Sequence, residues 1–415
     1  MRVFKFGGAS VKDADGVRNV VKVLKEVGYE NTLLVVSAMG KTTNSMEDII
    51  NAYFNDKQKI PSKVAELVDY HHGIVSELFP NTKHVIYKDI KILIDEVNGF
   101  MAWNKSPNYN FVYDQIVGYG ELIATTIVSA YFKEIGIANN WLDVRNFIKT
   151  DSSYRDTAVN WERTQENVAK IDRKILNITQ GFLGSDDNNF TTTLGREGSD
   201  YTAAILAYCL NADSVTIWKD VPGVLNADPR YFRETQLLNN ISYREAIELA
   251  FYGASVIHPK TLQPLQRKEI PLLVKSFLNP KNNGTTVGKG VGIEPKVPCF
   301  IVKKNQVLMK LSSLDFSFIV EDSISELFKL FHEHKIKVDL IQNSAISFSV
   351  CVDNKFGGLE ALLQQLKSKF TVAYHENVSL YTIRHFDTKA LESLQKGKEL
   401  LLEQRGTEIV QLVVK

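Results

Sequence analysis

Cysteine is scarce: Cys209, Cys299 and Cys351 are the only three in 415 residues. They lie far apart and lack CxxC spacing, which argues against a disulfide framework or a zinc site and leaves each as a small core residue. An excess of either charge is also missing. Lys plus Arg number 49 and Asp plus Glu 48, a net of +1, so nothing calls for a nucleic-acid partner. No apolar run is long enough to span a bilayer, and the first residues read as strand and loop rather than a charged-then-apolar leader. A cytoplasmic protein without a membrane partner is the expectation. The glycines near the N-terminus follow neither Walker A nor dinucleotide-fingerprint spacing. Length alone allows two or three domains, since domains usually run to about 100–200 residues.

What is present begins at once. Arg2-Val3-Phe4-Lys5-Phe6 reads as a buried strand running into Gly7-Gly8 and Ser10, and Val17, Val20, Val21 and Leu24 then recur at helical spacing. Glycines allow backbone N–H groups close to phosphate oxygens, and a lysine beside them supplies a point charge, so the stretch can cradle phosphate. An ordinary tight turn is the bland alternative. Thr32–Val36 is a continuous apolar run, as a strand covered on both faces should be, and it ends in the hydroxyl-rich loop Ser37-Ala38-Met39-Gly40-Lys41-Thr42-Thr43-Asn44. His71-His72 point to different sides of one helix and make a poor metal pair.

Asp114–Phe132 reads as one long helix interrupted by Gly118-Tyr119-Gly120-Glu121. Glycine inside a helix costs about 1 kcal/mol relative to alanine, so close backbone approach is expected there, with Glu121 either a ligand contact or a surface residue. The densest chemistry lies at Thr191–Ala204. Arg196 offers a planar fork for a carboxylate, Asp200 can orient a lysine or hold Mg²⁺, and Ser199 or Asp200 can cap the following helix. Strand Ser214–Trp218 follows, with Trp218 facing an adenine ring or packed in the core, and Ser242–Glu245 is a capping box. Strands alternating with helices predict an α/β fold, a mostly parallel open sheet sandwiched by helices.

These blocks together resemble the aspartokinases. The resemblance rests on KFGGAS at 5–10, SAMGKTTN at 37–44, GYGELIA at 118–124, TQGFLGS at 179–185, TTLGREGSDYTAA at 192–204, DVPGVLNADPR at 220–230 and FYGASVIHP at 251–259, all in the family's order. It implies transfer of the γ-phosphoryl of ATP, with Mg²⁺, to the β-carboxylate of L-aspartate, giving 4-phospho-L-aspartate for lysine, threonine and methionine biosynthesis. By the same resemblance, Lys5 stabilises the transferring group, Gly7, Gly8 and Ser10 line the phosphates, and Asp200 holds Lys5 and helps place Mg²⁺. Arg196 takes the α-carboxylate of aspartate and Glu121 its α-amino group, while Ser37, Thr43, Phe182 and Ser199 complete the pocket. Trp218, Lys219, Asp220, Arg230 and Ser255 hold the nucleotide. Three positions depart from the family pattern: Glu197 replaces a glycine, Leu225 a tyrosine, and Ser255 a lysine, for which Lys219 or Lys260 is the expected substitute.

Residues 1–287 are therefore expected to form the kinase domain, and 288–298, rich in glycine and proline, a linker. Beyond it, 306–376 has the order βαββαβ of a ferredoxin-like fold, which next to a kinase core resembles an ACT sensor unit. Residues 299–304 with 378–415 are expected to give a reduced second unit of three strands and one helix. Exposed edge strands predict a homodimer through these units. Asp339 matches a position that contacts lysine in lysine-sensitive relatives, making lysine or threonine the expected effector. The alternatives are a catalytically silent amino-acid sensor, or a kinase of the same fold for another carboxylate.

Overall fold

A computed structural model describes residues 1–254, 257–315 and 317–415. They divide into two compact units, the first made of residues 1–224, 237–247 and 257–294 and the second of 225–236, 248–254 and 295–415. The expected boundary near 287 leaves out two of these segments. Residues 225–236 belong to the second unit because Asn226 Nδ2 donates to Pro298 O at 2.9 Å and Phe232 packs on Phe300 with ring centroids 5.4 Å apart.

In the first unit the strands are β1 (Arg2–Phe6), β2 (Thr32–Val36), β3 (Asn139–Leu142), β4 (Leu176–Gln180), the hairpin β5 (Leu183–Ser185) and β6 (Thr191–Thr193), then β7 (Ser214–Lys219), β8 (Asn240–Ser242), β9 (Leu272–Ser276) and β10 (Thr285–Gly288). Eight of them form one sheet in the order β3-β4-β2-β1-β7-β9-β10-β8, parallel except for the β9–β10 pair. All five residues of β2 and of β4 are buried, which is why these central strands read as unbroken apolar or small-polar runs. The helices are α1 (Ala14–Val27), α2 (Thr42–Asn55), α3 (Ile60–Leu78), α4 (Val85–Trp103), α5 (Tyr109–Val117), α6 (Tyr119–Glu134), α7 (Trp161–Val168), α8 (Gly198–Leu210), α9 (Tyr243–Tyr252) and α10 (Pro259–Arg267).

The register places Lys5 beside Val35 on one side and Ile217 on the other, so the carboxyl ends of β1, β2 and β7 open at one level. In open parallel sheets this is where ligands collect. The long helix expected over 114–132 is two helices, α5 and α6, broken at Gly118. Both interrupting glycines sit where a side chain would be tightly crowded. A Cβ on Gly118 would lie 2.9 Å from Leu183 Cδ2, and one on Gly120 3.0 Å from Thr42 Cγ2.

The second unit has a six-stranded antiparallel sheet built from β11 (Cys299–Ser313), β12 (Lys337–Asn343), β13 (Ser347–Asp353), β14 (Phe370–Arg384), β15 (Leu400–Arg405) and β16 (Ile409–Val414), in the order β12-β13-β11-β14-β16-β15. Its helices are α11 (Glu321–Glu333), α12 (Leu359–Lys367) and α13 (Thr388–Gln395). β11 and β14 each run fifteen residues and serve both halves, with a bulge between Lys303 and Leu308 marking the junction. The first half has the expected βαββαβ order, cored by Leu327, Phe331, Phe348, Leu362 and Leu366. The second half differs from expectation. The helix stops at Gln395, Gly397 takes φ +73°, and Leu400–Arg405 returns as a fourth strand against β16.

Candidate active site

β1 carries Lys5 toward its carboxyl end, and the chain then turns through Gly7 and Gly8 into a 3-10 turn at Gly8–Val11. Gly8 has no room for a side chain, since a Cβ would lie 2.7 Å from Ala38 O and 2.8 Å from Gly40 O. The phosphate loop and the 37–44 loop are therefore pressed together, and Gly40 N–H donates to Gly8 O at 3.1 Å. Ser10 Oγ is buried and has no hydrogen-bond partner among the described residues, an arrangement suited to an anion.

Across from β1, the N-terminus of α8 supplies Asp200. Lys5 Nζ lies 2.6 Å from its Oδ1 and Lys219 Nζ 3.8 Å from its Oδ2. Burial pushes the Asp200 carboxyl up, and the charges of Lys5 and Lys219 outweigh that effect and hold it below the ordinary range. The capping role expected for Ser199 or Asp200 is not taken: the residue before α8 is Glu197, which makes no side-chain cap. Glu197 instead takes the left-handed conformation at φ +54° that a glycine would occupy freely.

Glu121 is almost fully buried, not a surface residue. Its Oε1 accepts from Ala38 N–H at 3.4 Å, and its Oε2 has no partner among the described residues. Burial pushes this carboxyl up to about 8, against smaller opposing effects from the Ala38 N–H and the Lys5 charge. Without a donor at this depth the carboxyl keeps its proton, and an arriving cation would favour its release. Phe182 takes φ +72°, its N–H donating to Thr202 Oγ1 at 2.8 Å, and Gly181 lies so close to Ser199 that a Cβ would approach its Cβ to 2.4 Å. Ser199 is thereby brought beside the Phe182 turn. Ser37 and Thr43 are half-buried in the loop after β2, and Arg196 is exposed, without an ion-pair or hydrogen-bond partner among the described residues.

The nucleotide assignments need correction. Trp218 is 2% exposed and packs against Phe6 at 5.9 Å and Phe4 at 5.8 Å, so it is a core residue and has no face for adenine. Lys260 pairs with Asp156, which lies against Gly195, and Lys219 is the lysine that pairs with Asp200. Asp220 is exposed next to Lys219, and Arg230, in the second unit, chelates Asp228 with Nη2 2.6 Å from Oδ2. Ser255 lies outside the described residues.

One organising residue escaped the motif reading. Asp114, fully buried, accepts from Thr193 N–H at 2.9 Å, Thr193 Oγ1 at 2.8 Å and Arg155 N–H at 2.9 Å, which fastens β6 just ahead of Gly195 and Arg196. Burial moves it up to about 6, with those donors pulling it back. A lone aspartate at the head of an apolar helix was the available signal.

Residues 1–276 match the amino acid kinase family. The lysine-sensitive aspartokinase 3 of Escherichia coli (strain K12) is 31% identical over 394 residues, covering 92% of this chain and 86% of the relative. The chain belongs to the aspartokinases. Its activity is that of an aspartate kinase, phosphoryl transfer to a carboxyl group. The chloroplastic aspartokinase 1 of Arabidopsis thaliana is also 31% identical, over 414 residues, with 96% of this chain and 69% of that protein covered. Against the chloroplastic bifunctional aspartokinase/homoserine dehydrogenase 2 of Arabidopsis thaliana the chain spans 42% of the relative's length. Among solved structures, E. coli aspartokinase III in complex with aspartate and ADP superposes at TM-score 0.82 and 28% identity, over 100% of this chain and 96% of that one. The lysine and aspartate complex of the same enzyme gives the same values.

The buried Glu121 carboxyl makes a prediction about stability. Because its folded value of about 8 stands above the ordinary 4.5, the native protein keeps a proton there that the unfolded chain has released, and stability at this group falls as pH rises through that window. Glu121→Gln should flatten the pH dependence of the urea midpoint between those values. Equal slopes for variant and wild type would contradict it.

Proposed function

We propose that this aspartokinase binds L-aspartate through Glu121 and Arg196 and passes it the γ-phosphoryl of ATP at the Lys5–Asp200 pair. The observation that carries the reading is the unpartnered, buried Glu121 Oε2, which the ammonium of an α-amino acid would satisfy. Arg196, free to move, takes the α-carboxylate, with Ser37, Thr43, Phe182 and Ser199 around the side chain. The β-carboxylate is already ionised at neutral pH and requires no general base. One of its oxygens bonds to the γ-phosphorus while the bond to the β-phosphate oxygen breaks, and ADP leaves with that electron pair.

The catalytic task is alignment and charge neutralisation of two anions. Gly7, Gly8 and Ser10 hold the phosphates, and Lys5 meets the charge on the transferring group. Lys219 and Asp220 serve the nucleotide, with Lys219 supplying the cation for which Ser255 has no charge. Among the described residues no cluster of three or more His, Cys, Asp or Glu is arranged for a metal, which fits an Mg²⁺ carried mainly by the phosphates with Asp200 beside it. When bound, Mg²⁺ would neutralise phosphate charge. No described helix is long and apolar enough to cross a membrane, in keeping with the proposed cytoplasmic location.

Regulation is read from the second unit. Lysine is the proposed effector because a relative is named lysine-sensitive, with threonine the alternative. Asp339, at a bulge in β12, is nearly buried and already paired, with Lys303 Nζ 2.8 Å and Lys337 Nζ 3.3 Å from its Oδ1. A lysine effector using this carboxylate has to displace Lys303. β12 is an unpaired sheet edge carrying exposed Ile341, with exposed Phe318, Phe328 and Ile346 in the same unit, and we place the homodimer contact there.

Lys5→Ala should abolish turnover with the fold retained, because Lys219 still faces Asp200, whereas Arg196→Ala and Glu121→Gln should chiefly raise the aspartate KM. Near-normal kcat in the first, or an unchanged aspartate KM in the others, would sink the assignment. Lys303→Ala should make inhibition by lysine stronger by several-fold in a dose–response series; weaker inhibition would show that Lys303 supports the effector site. Sedimentation should find a dimer that Ile341→Asp converts to monomer, and a variant that stays dimeric would move the contact elsewhere.

A further inference from the structure

α3 lies outside every motif used above, yet two consecutive residues on it reach the loops that form the site. Tyr70 donates its hydroxyl to Lys12 O, just after the phosphate loop, and lies over Gly40, where a Cβ would come within 2.4 Å of that hydroxyl. His71 is completely buried. Its Nδ1 stands 2.8 Å from Leu67 O one turn back, and since a carbonyl only accepts, Nδ1 carries the proton and Nε2 is bare. That bare nitrogen is 3.3 Å from Thr42 Oγ1.

Thr42 is the joint. Its hydroxyl donates to Met39 O at 2.6 Å, closing the turn between Ser37 and Thr43, and its backbone N–H donates to the same carbonyl at 3.0 Å. Its methyl abuts Gly120, next to Glu121, and Ala38 N–H reaches Glu121 Oε1. The Thr42 hydroxyl has one proton and two acceptors beside it, the Met39 carbonyl and the bare Nε2, so it donates to one of them at a time and its rotation is confined to those two directions. We propose that His71 is a positioning residue for the substrate loop, its Nε2 being the second acceptor that confines the Thr42 hydroxyl so that Ala38, Thr43 and Glu121 stay in the geometry that receives the amino acid. Burial pushes the imidazole down to about 4, so it remains neutral and an acceptor at working pH.

The inference rests on the assignment of aspartate to Glu121, Ser37 and Thr43, and its test separates the two. Aspartate affinity of the intact protein is measured by calorimetry beside steady-state kinetics for His71→Leu, His71→Gln, Thr42→Val and the His71→Leu/Thr42→Val pair. Glutamine can offer its amide oxygen where Nε2 stands. His71→Leu should raise the aspartate KM and Kd about tenfold, of the order that losing one hydrogen bond produces, with the ATP KM unchanged and kcat within about twofold. His71→Gln should recover most of the loss, and the double variant should be no worse than the worse single one. A variant that loses only thermal stability, or shifts both KM values equally, overturns the positioning role, as does failure of glutamine to rescue. Wild-type protein that neither binds nor phosphorylates aspartate overturns the substrate assignment, and the positioning role with it.

Discussion

The Lys5–Asp200 ion pair is closed into the interior at the carboxyl end of parallel strands, and the architecture around it follows from the need to hold it there. Two ions taken out of water lose hydration that their mutual attraction repays only with good geometry. β1 and the start of α8 supply that geometry, with Lys5 and Asp200 2.6 Å apart. Lys219, from the neighbouring strand β7, brings a second cation to the same carboxylate, and the proposed reaction, which joins two anions, calls for cations fixed beforehand.

A second constraint is crowding. The turn after β1, the 37–44 loop and the start of α8 are packed so closely that Gly8 and Gly181 could not carry a methyl group without collision, and one on Gly120, after the break between α5 and α6, would press on Thr42. This packing strands Glu121 Oε2 without a donor among the described residues. The cost of that burial is the sort of local instability that sites of function retain.

The second unit follows a different logic. Its two long strands serve both halves, so a disturbance at the β11–β14 bulge reaches each of them. Lys303 sits on that bulge and pairs with Asp339, so under the proposed regulation a ligand's amine would have to compete with a side chain of the protein for that carboxylate.

Much of this was legible in the residues. The apolar run of β2, the glycine pairs and the order of the seven motifs specify the parallel sheet and name Lys5, Glu121, Arg196 and Asp200, because periodicity and backbone demands are local properties. Partners were not legible. That Trp218 is enclosed by Phe4 and Phe6, that Lys219 and not Lys260 turns to Asp200, and that Asp114 and His71 reach loops distant in sequence depend on contacts between segments far apart in the chain, while Leu400–Arg405 is a strand because it pairs with β16 just after it. The sequence by itself determined most of the elements, the family and the chemical types at the site. The tertiary structure alone decided which charge meets which and which polar atom is left without a partner, because burial and pairing are set by whatever the fold brings within a few ångströms.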